Sequence, residues 1–362
     1  MYLTSRRGIE QVERCLHGGV NRAEVRRHGL DPAAVLDFSS NINPLGPPFD
    51  VARLLEVDLA AYPDPAAEEL RGLLAARHRV DVGQVFLGNG TAEIIRLLAL
   101  AYLERGDRML VMAPTFGEYA CAARIAGAEV ISCFADEDRA FAPDLDAMAE
   151  LIRRCRPRMV FLCNPNNPTG YYLGATDFAA LLQQASGLIV LDEAYVNFVE
   201  GAWPSERYLA AGNLMVLRSM TKDYALAGLR LGYALGPREV VRVLERVAPP
   251  WNVNAFAQRA GVLALQSDGD YLARMRSAVR QSIAYLRNGL RQRGFSPLKT
   301  RANFFLLPVG NAAVYRERLL ERGILVRDCA SFGLPAYIRI AARPLNECHA
   351  LLEALQDIAN VG

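Results

Sequence analysis

From Gln84 onward, short apolar runs alternate with stretches whose apolar residues recur every three or four positions, the pattern of strands interleaved with amphipathic helices. The runs "QVFLG", "RMLVMAP", "AEVISCF", "RMVFLCNP", "GLIVLDEAY", "LMVLRSM" and "RLGYALG" predict a mostly parallel, seven-stranded central sheet in an α/β chain. Between them, "TAEIIRLLALAYLERG" has helical spacing and stops at Gly106, a residue suited to a helix C-terminus, and "FGEYACAARIAGA" and "LGATDFAALLQQASG" also end at or near glycine. Beyond the bend expected at "VAPPW" the texture changes. "PPWNVNAFAQRAGVLALQ" and the long amphipathic "YLARMRSAVRQSIAYLRNGLRQRG" predict helices, "RANFFLLPV" and "AYIRIAA" predict strands, and a last helix begins at about Glu347. Three parts are expected: an N-terminal segment 1–47 joining a small domain and the site, a large domain 48–250, and a small C-terminal α/β domain 251–362. The first forty or so residues are expected to lie apart from the sheet, and the polar, proline-rich "DFSSNINPLGPPFD" predicts a loop.

The chain has 362 residues, 52% of them hydrophobic, enough for more than one compact core. Its 41 basic and 39 acidic residues nearly cancel, and the short basic stretches "RHGLDP" and "RRCRPR" lack interleaved aromatic platforms, so no nucleic-acid partner is expected. Cysteines 15, 121, 133, 155, 163, 329 and 348 form no CxxC pair and are odd in number, which fits reduced thiols. Histidines 17, 28, 78 and 349 are scattered and predict no metal site, although folding could gather them. The start lacks the apolar core of a signal peptide, and no uncharged apolar run approaches the ~20 residues of a membrane span. The expectation is a soluble cytoplasmic protein with no membrane partner.

Candidate chemistry sits at the presumed strand ends. "FLGNGTAE" follows one strand and opens a helix, so the amides of Gly90, Thr91 and Ala92 could meet an anion. Glu93 stands where a dinucleotide fingerprint wants a third small residue, and a plain turn and cap would read the same way. "FLCNPNNPTG" puts asparagines beyond the next strongly apolar strand, where sheets of this kind carry ligands; Asn167 can both donate and accept. "LIVLDEAY" delivers Asp192, Glu193 and Tyr195. A carboxylate there needs a cation, and a protonated ring nitrogen, an arginine or a helix terminus would each serve. Lys222 follows, flanked by Ser219 and Thr221 and followed by Arg230. A lysine among neutral and cationic neighbours gives up its proton more readily and can attack a carbonyl, although a surface position is the default for any single lysine.

The combination "NPNNPTG", "DEAY", "SMTK" and "GLRLGY" resembles the fold type I pyridoxal-phosphate enzymes of the aminotransferase class I/II group over nearly the whole chain. Within that group the chain looks closest to the threonine-phosphate decarboxylases, with the histidinol-phosphate aminotransferases as near neighbours. The decarboxylase expectation rests on "HGG" at His17 to Gly19, "DFSSNINPLG" and "VRDCASFG" ahead of "YIRIAAR". It makes the chain a carboxy-lyase of cobalamin biosynthesis that converts L-threonine O-3-phosphate to (R)-1-amino-2-propanol O-2-phosphate and carbon dioxide. The resemblance implies pyridoxal 5'-phosphate as cofactor, carried by Lys222, with Asp192 at its ring nitrogen, Tyr195 and Asn167 at its ring oxygen and Phe116 stacked on the ring. Gly90, Thr91, Ala92, Ser219, Thr221 and Arg230 would hold the cofactor phosphate, as would Tyr62 reaching across from a second subunit, which implies a homodimer with interfacial sites. His17, Asn43, Asn167, Arg327 and Arg339 are the expected substrate contacts.

Overall fold

The computed structural model describes residues 9–12, 15 and 17–361. Its strands are β1 (Leu36–Asp37), β2 (Val85–Asn89), β3 (Arg108–Ala113), β4 (Glu129–Phe134), β5 (Met159–Cys163), β6 (Leu188–Asp192), β7 (Leu214–Ser219), β8 (Leu231–Leu235), β9 (Phe304–Pro308), β10 (Ile324–Leu325), β11 (Arg327–Asp328) and β12 (Tyr337–Ala341). All seven expected central strands form. They order as β2-β8-β7-β6-β5-β3-β4, with β8 antiparallel to both neighbours and the others parallel, so the sheet is mixed by that one strand.

Side chains alternate across a strand, and here the alternate sets feed two separate cores. Leu110, Val160, Leu162, Ile189, Leu191 and Val216 pack toward the C-terminal part of the chain, where Phe304, Phe305 and Leu286 join them. Met109, Val111, Met159, Phe161, Val190, Met215 and Leu217 pack toward the helices Thr91–Tyr102, Glu118–Ala126 and Arg238–Val247. Burial on both faces explains why β5, β6 and β8 read as unbroken apolar runs.

The topology determines where chemistry can occur. β5, β6 and β7 run parallel, so Cys163, Asp192 and Ser219 end them at one edge of the sheet. Across that edge Ser219 is in register with Gly232, and Gly232 with Gly88, which brings the turn at Gly90 beside Ser219. The crossing is close: a Cβ on Gly232 would stand 2.6 Å from the Thr91 nitrogen, so no side chain fits. Opposite this edge lies the three-stranded antiparallel sheet β11-β12-β9, which pairs Arg327 with Arg339. β1 pairs in parallel with β10 and lies outside the large sheet, tying the early chain to its last third. Among the described residues no helix is long and apolar enough to cross a membrane.

Candidate active site

A cavity of about 760 Å³ opens at the carboxyl edge of the large sheet and faces the small one. One end is built for an anion. Gly90, at φ +74°, caps the helix Thr91–Tyr102, whose first amides have no partner within the helix. A Cβ on Gly90 would come within 2.7 Å of Arg230 Nη2, so the absence of a side chain lets that guanidinium stand over the helix terminus. The buried hydroxyls of Ser219 and Thr221 hydrogen-bond at 2.6 Å beside it, and both residues line the cavity with Thr91, Ala92 and Arg230.

At the centre, Asp192 is buried at the end of β6. Burial pushes its carboxyl pKa up, while hydrogen bonds from the Tyr119 hydroxyl (2.7 Å) and the Ala194 amide (3.0 Å) and the charge of Lys222 pull it back. No arginine bonds to Asp192 among the described contacts, and the cation that acts on it is Lys222. Lys222 is partly buried next to it. Loss of water, then the nearby charges of Arg339 and Arg230, lower its amine from 10.5 to about 8. Tyr195 is buried, with its hydroxyl pushed up to about 12 by burial and accepting from Asn41 Nδ2 at 3.3 Å. Arg339 Nη1 donates to Asn167 Oδ1 and its Nη2 to the Ser39 carbonyl at 2.8 Å. Asn41 Oδ1 and Arg339 Nε are buried without a hydrogen-bond partner, which leaves polar capacity in this wall.

At the mouth, Phe116 stands beside His17, their ring centroids 5.7 Å apart. His17 Nε2 lies 3.0 Å from Glu118 Oε1, and Arg327 Nη1 donates to the His17 carbonyl at 3.1 Å and Nη2 to Ser331 Oγ at 2.6 Å. The fold therefore gathers Thr91, Ala92, Phe116, Asn167, Asp192, Tyr195, Ser219, Thr221, Lys222, Arg230, His17, Arg327 and Arg339 around one cavity, with Gly90 behind Arg230. Two expected site residues lie elsewhere. Asn43 does not line the cavity; its side-chain amide donates to the Asp223 carbonyl and to Tyr271, each at 2.7 Å, and its backbone amide donates to the Lys222 carbonyl at 2.9 Å, so it braces the lysine's backbone. Tyr62 stacks on Trp251 and is 79% exposed, outside this chain's own cavity. Sequence reading missed Tyr119, which is fully buried in the helix Glu118–Ala126 and stacked on Phe161 at 4.6 Å; a tyrosine in an apolar helical stripe gives no warning that its hydroxyl meets a carboxylate.

These residues fit pyridoxal phosphate on chemical grounds: an anion nest, a buried acid with no arginine bonded to it, a lysine amine of lowered pKa and an aromatic ring share one cavity. The profile of the aminotransferase class I and II family matches residues 33–355. A histidinol-phosphate aminotransferase 2 from Pseudomonas aeruginosa is 38% identical over 361 residues, covering 97% of this chain and 96% of that one. Seven further curated relatives at 36–37% identity are also histidinol-phosphate aminotransferases. Among solved structures, the histidinol-phosphate aminotransferase from Sinorhizobium meliloti in complex with pyridoxal-5'-phosphate shares the fold, with TM-score 0.89, 23% identity and 99% of each chain covered. An L-threonine-O-3-phosphate decarboxylase from Porphyromonas gingivalis shares it too, with TM-score 0.79 and 28% identity over 90% of this chain and 100% of that one.

The full-length relatives overturn the expectation of a threonine-phosphate decarboxylase, and with it the carboxy-lyase and cobalamin readings. The segments that prompted it, around His17, Ser39 and Arg327, line the cavity of a fold that both kinds of enzyme share, and a shared fold does not separate the two activities. The fold type I expectation and pyridoxal phosphate as cofactor both stand. The family's architecture is dimeric, with the active site near the subunit interface. With its fold, its cavity and its relatives in agreement over nearly the whole length, the chain belongs to the aminotransferase class I and II family.

Proposed function

We propose that this chain is a histidinol-phosphate aminotransferase, passing the amino group of histidinol phosphate to 2-oxoglutarate. The observation that carries this reading is the 38% identity to such an enzyme over 97% of the chain. The cavity supports it. One substrate ends in a phosphate and the other in carboxylates, and the neighbouring guanidinium groups of Arg327 and Arg339 can receive either in turn.

Lys222 would hold the cofactor through its amine, Asp192 its ring nitrogen, Tyr195 and Asn167 its ring oxygen, and Phe116 one face of the ring. Gly90, Thr91, Ala92, Ser219, Thr221 and Arg230 would hold its phosphate. When bound, pyridoxal phosphate supplies an electron-withdrawing ring that accepts the electron pair left at the substrate carbon bearing nitrogen. Asp192 would keep the ring nitrogen protonated, which its buried position makes it well placed to do. The Lys222 amine, with a pKa of about 8, would take the proton from that carbon and return it at the next. Arg339 would hold the substrate anion so that the carbon–hydrogen bond, rather than a carbon–carbon bond, faces Lys222.

A second copy is proposed to complete the site. Exposed apolar residues concentrate between Leu45 and Tyr62, with Val51, Leu55 and Leu59 among them, and Trp251 lies alongside. A patch of this kind marks an association surface, and Tyr62 within it would reach the neighbouring subunit's cofactor phosphate. The deciding assay supplies histidinol phosphate with 2-oxoglutarate, and separately L-threonine O-3-phosphate, to the cofactor-loaded protein. Glutamate formation in the first and no carbon dioxide in the second is the expected result. No glutamate from histidinol phosphate would defeat the proposal.

A further inference from the structure

The thiols of Cys15 and Cys121 and the carboxylate of Glu118 have their ligand atoms all within 4.8 Å of one another, the one such grouping of metal-ligating side chains among the described residues. We propose that these three, with His17 beside them, form a binding site for a thiophilic divalent cation of the zinc class at the mouth of the cavity.

The donor set is the first argument. A tetrahedral ion bonded at about 2.3 Å to sulfur and about 2.0–2.2 Å to oxygen or nitrogen separates its ligands by roughly 3.3–3.8 Å, so small side-chain adjustments close the site. Glu118 and Cys121 are three apart in the helix Glu118–Ala126 and share one face, which presets two ligands on a rigid element. His17 Nε2, 101 residues away in sequence, already lies 3.0 Å from Glu118 Oε1, a spacing close to that of two ligands on one ion.

The surroundings are the second argument. Arg96 Nη2 holds the other Glu118 oxygen at 3.0 Å, which fixes the carboxylate from behind, as groups around metal ligands do. A Cβ on Gly117 would stand 3.2 Å from Cys15 Sγ, so the glycine lets the backbone beside Phe116 close onto the sulfur. A metal ion bound by these sulfurs takes them as thiolates, so binding would release thiol protons to solvent. Cys15, Cys121 and His17 all line the cavity, so an ion there would fix its rim.

The test is equilibrium dialysis of the cofactor-loaded protein against zinc, with cobalt(II) as a spectroscopic probe. The expected result is one zinc per chain, and a cobalt form showing the visible bands of tetrahedral coordination together with sulfur-to-metal charge transfer. Cys15→Ser and Cys121→Ser should each abolish stoichiometric binding, Arg96→Ala should weaken it about 10-fold, and Cys155→Ser should leave it unchanged. Cys15 lies outside the helices, so Cys15→Ser still decides the matter if Cys121→Ser fails to fold. Stoichiometric zinc retained in both serine variants, cobalt without the sulfur band, or a Cys15–Cys121 disulfide in a protein that takes up no zinc would each overturn the proposal.

Discussion

In the proposed reaction Lys222 would be a nucleophile when it captures the cofactor and a proton carrier afterward, and both tasks would need its neutral form near neutral pH. Its surroundings supply that: burial first, then Arg339 and Arg230, bring the amine down to about 8. The sign follows directly. Below about 8 the folded chain carries a partly buried ammonium at a cost, and between about 8 and 10.5 only the unfolded chain keeps the proton, so this residue's contribution to stability improves as pH rises through that window. In cofactor-free protein, reductive trapping of an aldehyde on Lys222 should accelerate with pH and level off above about 8. Arg339→Gln should move that midpoint upward, because one of the two cations opposing the ammonium is gone; an unmoved midpoint would show that Arg339 does not act on the lysine. At this scale most of the residues that gather at the cavity were legible because they sit in short motifs near strand ends. Asn43 misled for the same reason: its motif marked a turn near the site, and only the fold shows its side chain committed to the Asp223 carbonyl and Tyr271.

Strand β7 presents Ser219 to the cavity and Arg218 to the opposite face, where a buried charge cluster lies. Arg218 Nε donates to Glu193 Oε2 at 2.7 Å, and its Nη2 reaches Glu206 Oε1 at 3.3 Å, an oxygen that also meets His78 Nδ1 at 2.6 Å. Replacing the arginine by a neutral side chain would strand Glu193, which is 1% exposed. Arg218→Met should therefore cost about 3–5 kcal/mol in urea unfolding, and adding Glu193→Gln should recover part of it; additive losses in the double variant would mean that the pair is not coupled. The inner strands of the large sheet could be read from sequence because they are buried on both faces. The antiparallel direction of β8 could not, since an apolar run carries no sense of direction. The two-residue strands β1, β10 and β11 are too short for any period to appear. The helix Arg238–Val247 is rich in valine, whose branched side chain blurs the distinction from a strand, and it was not singled out.

For the molecule as a whole, the choice between two phosphorylated substrates was the part least visible in sequence, because the proposed reading places it in the space around Arg327 and Arg339, which no short motif describes. The second copy can be tested apart from that choice. Mixing Tyr62→Ala subunits with Lys222→Ala subunits should restore activity, since a hybrid dimer has one site with both native residues; exchange demonstrated by mass with no gain in turnover would return Tyr62 to its own subunit or remove it from the site. The pairing of β1 with β10 has a different consequence, one of timing. The Phe38 amide bonds to the Leu325 carbonyl, and the Ala341 amide bonds back to the Phe38 carbonyl, so the stretch carrying Ser39 and Asn41 is held in place by chain synthesized some 300 residues later. Such distant closure is slow and entropically costly. On the ribosome, the large sheet can form its parallel core while one wall of the cavity is still missing, and the emerging chain gains a closed active site only when its final strands have left the exit tunnel.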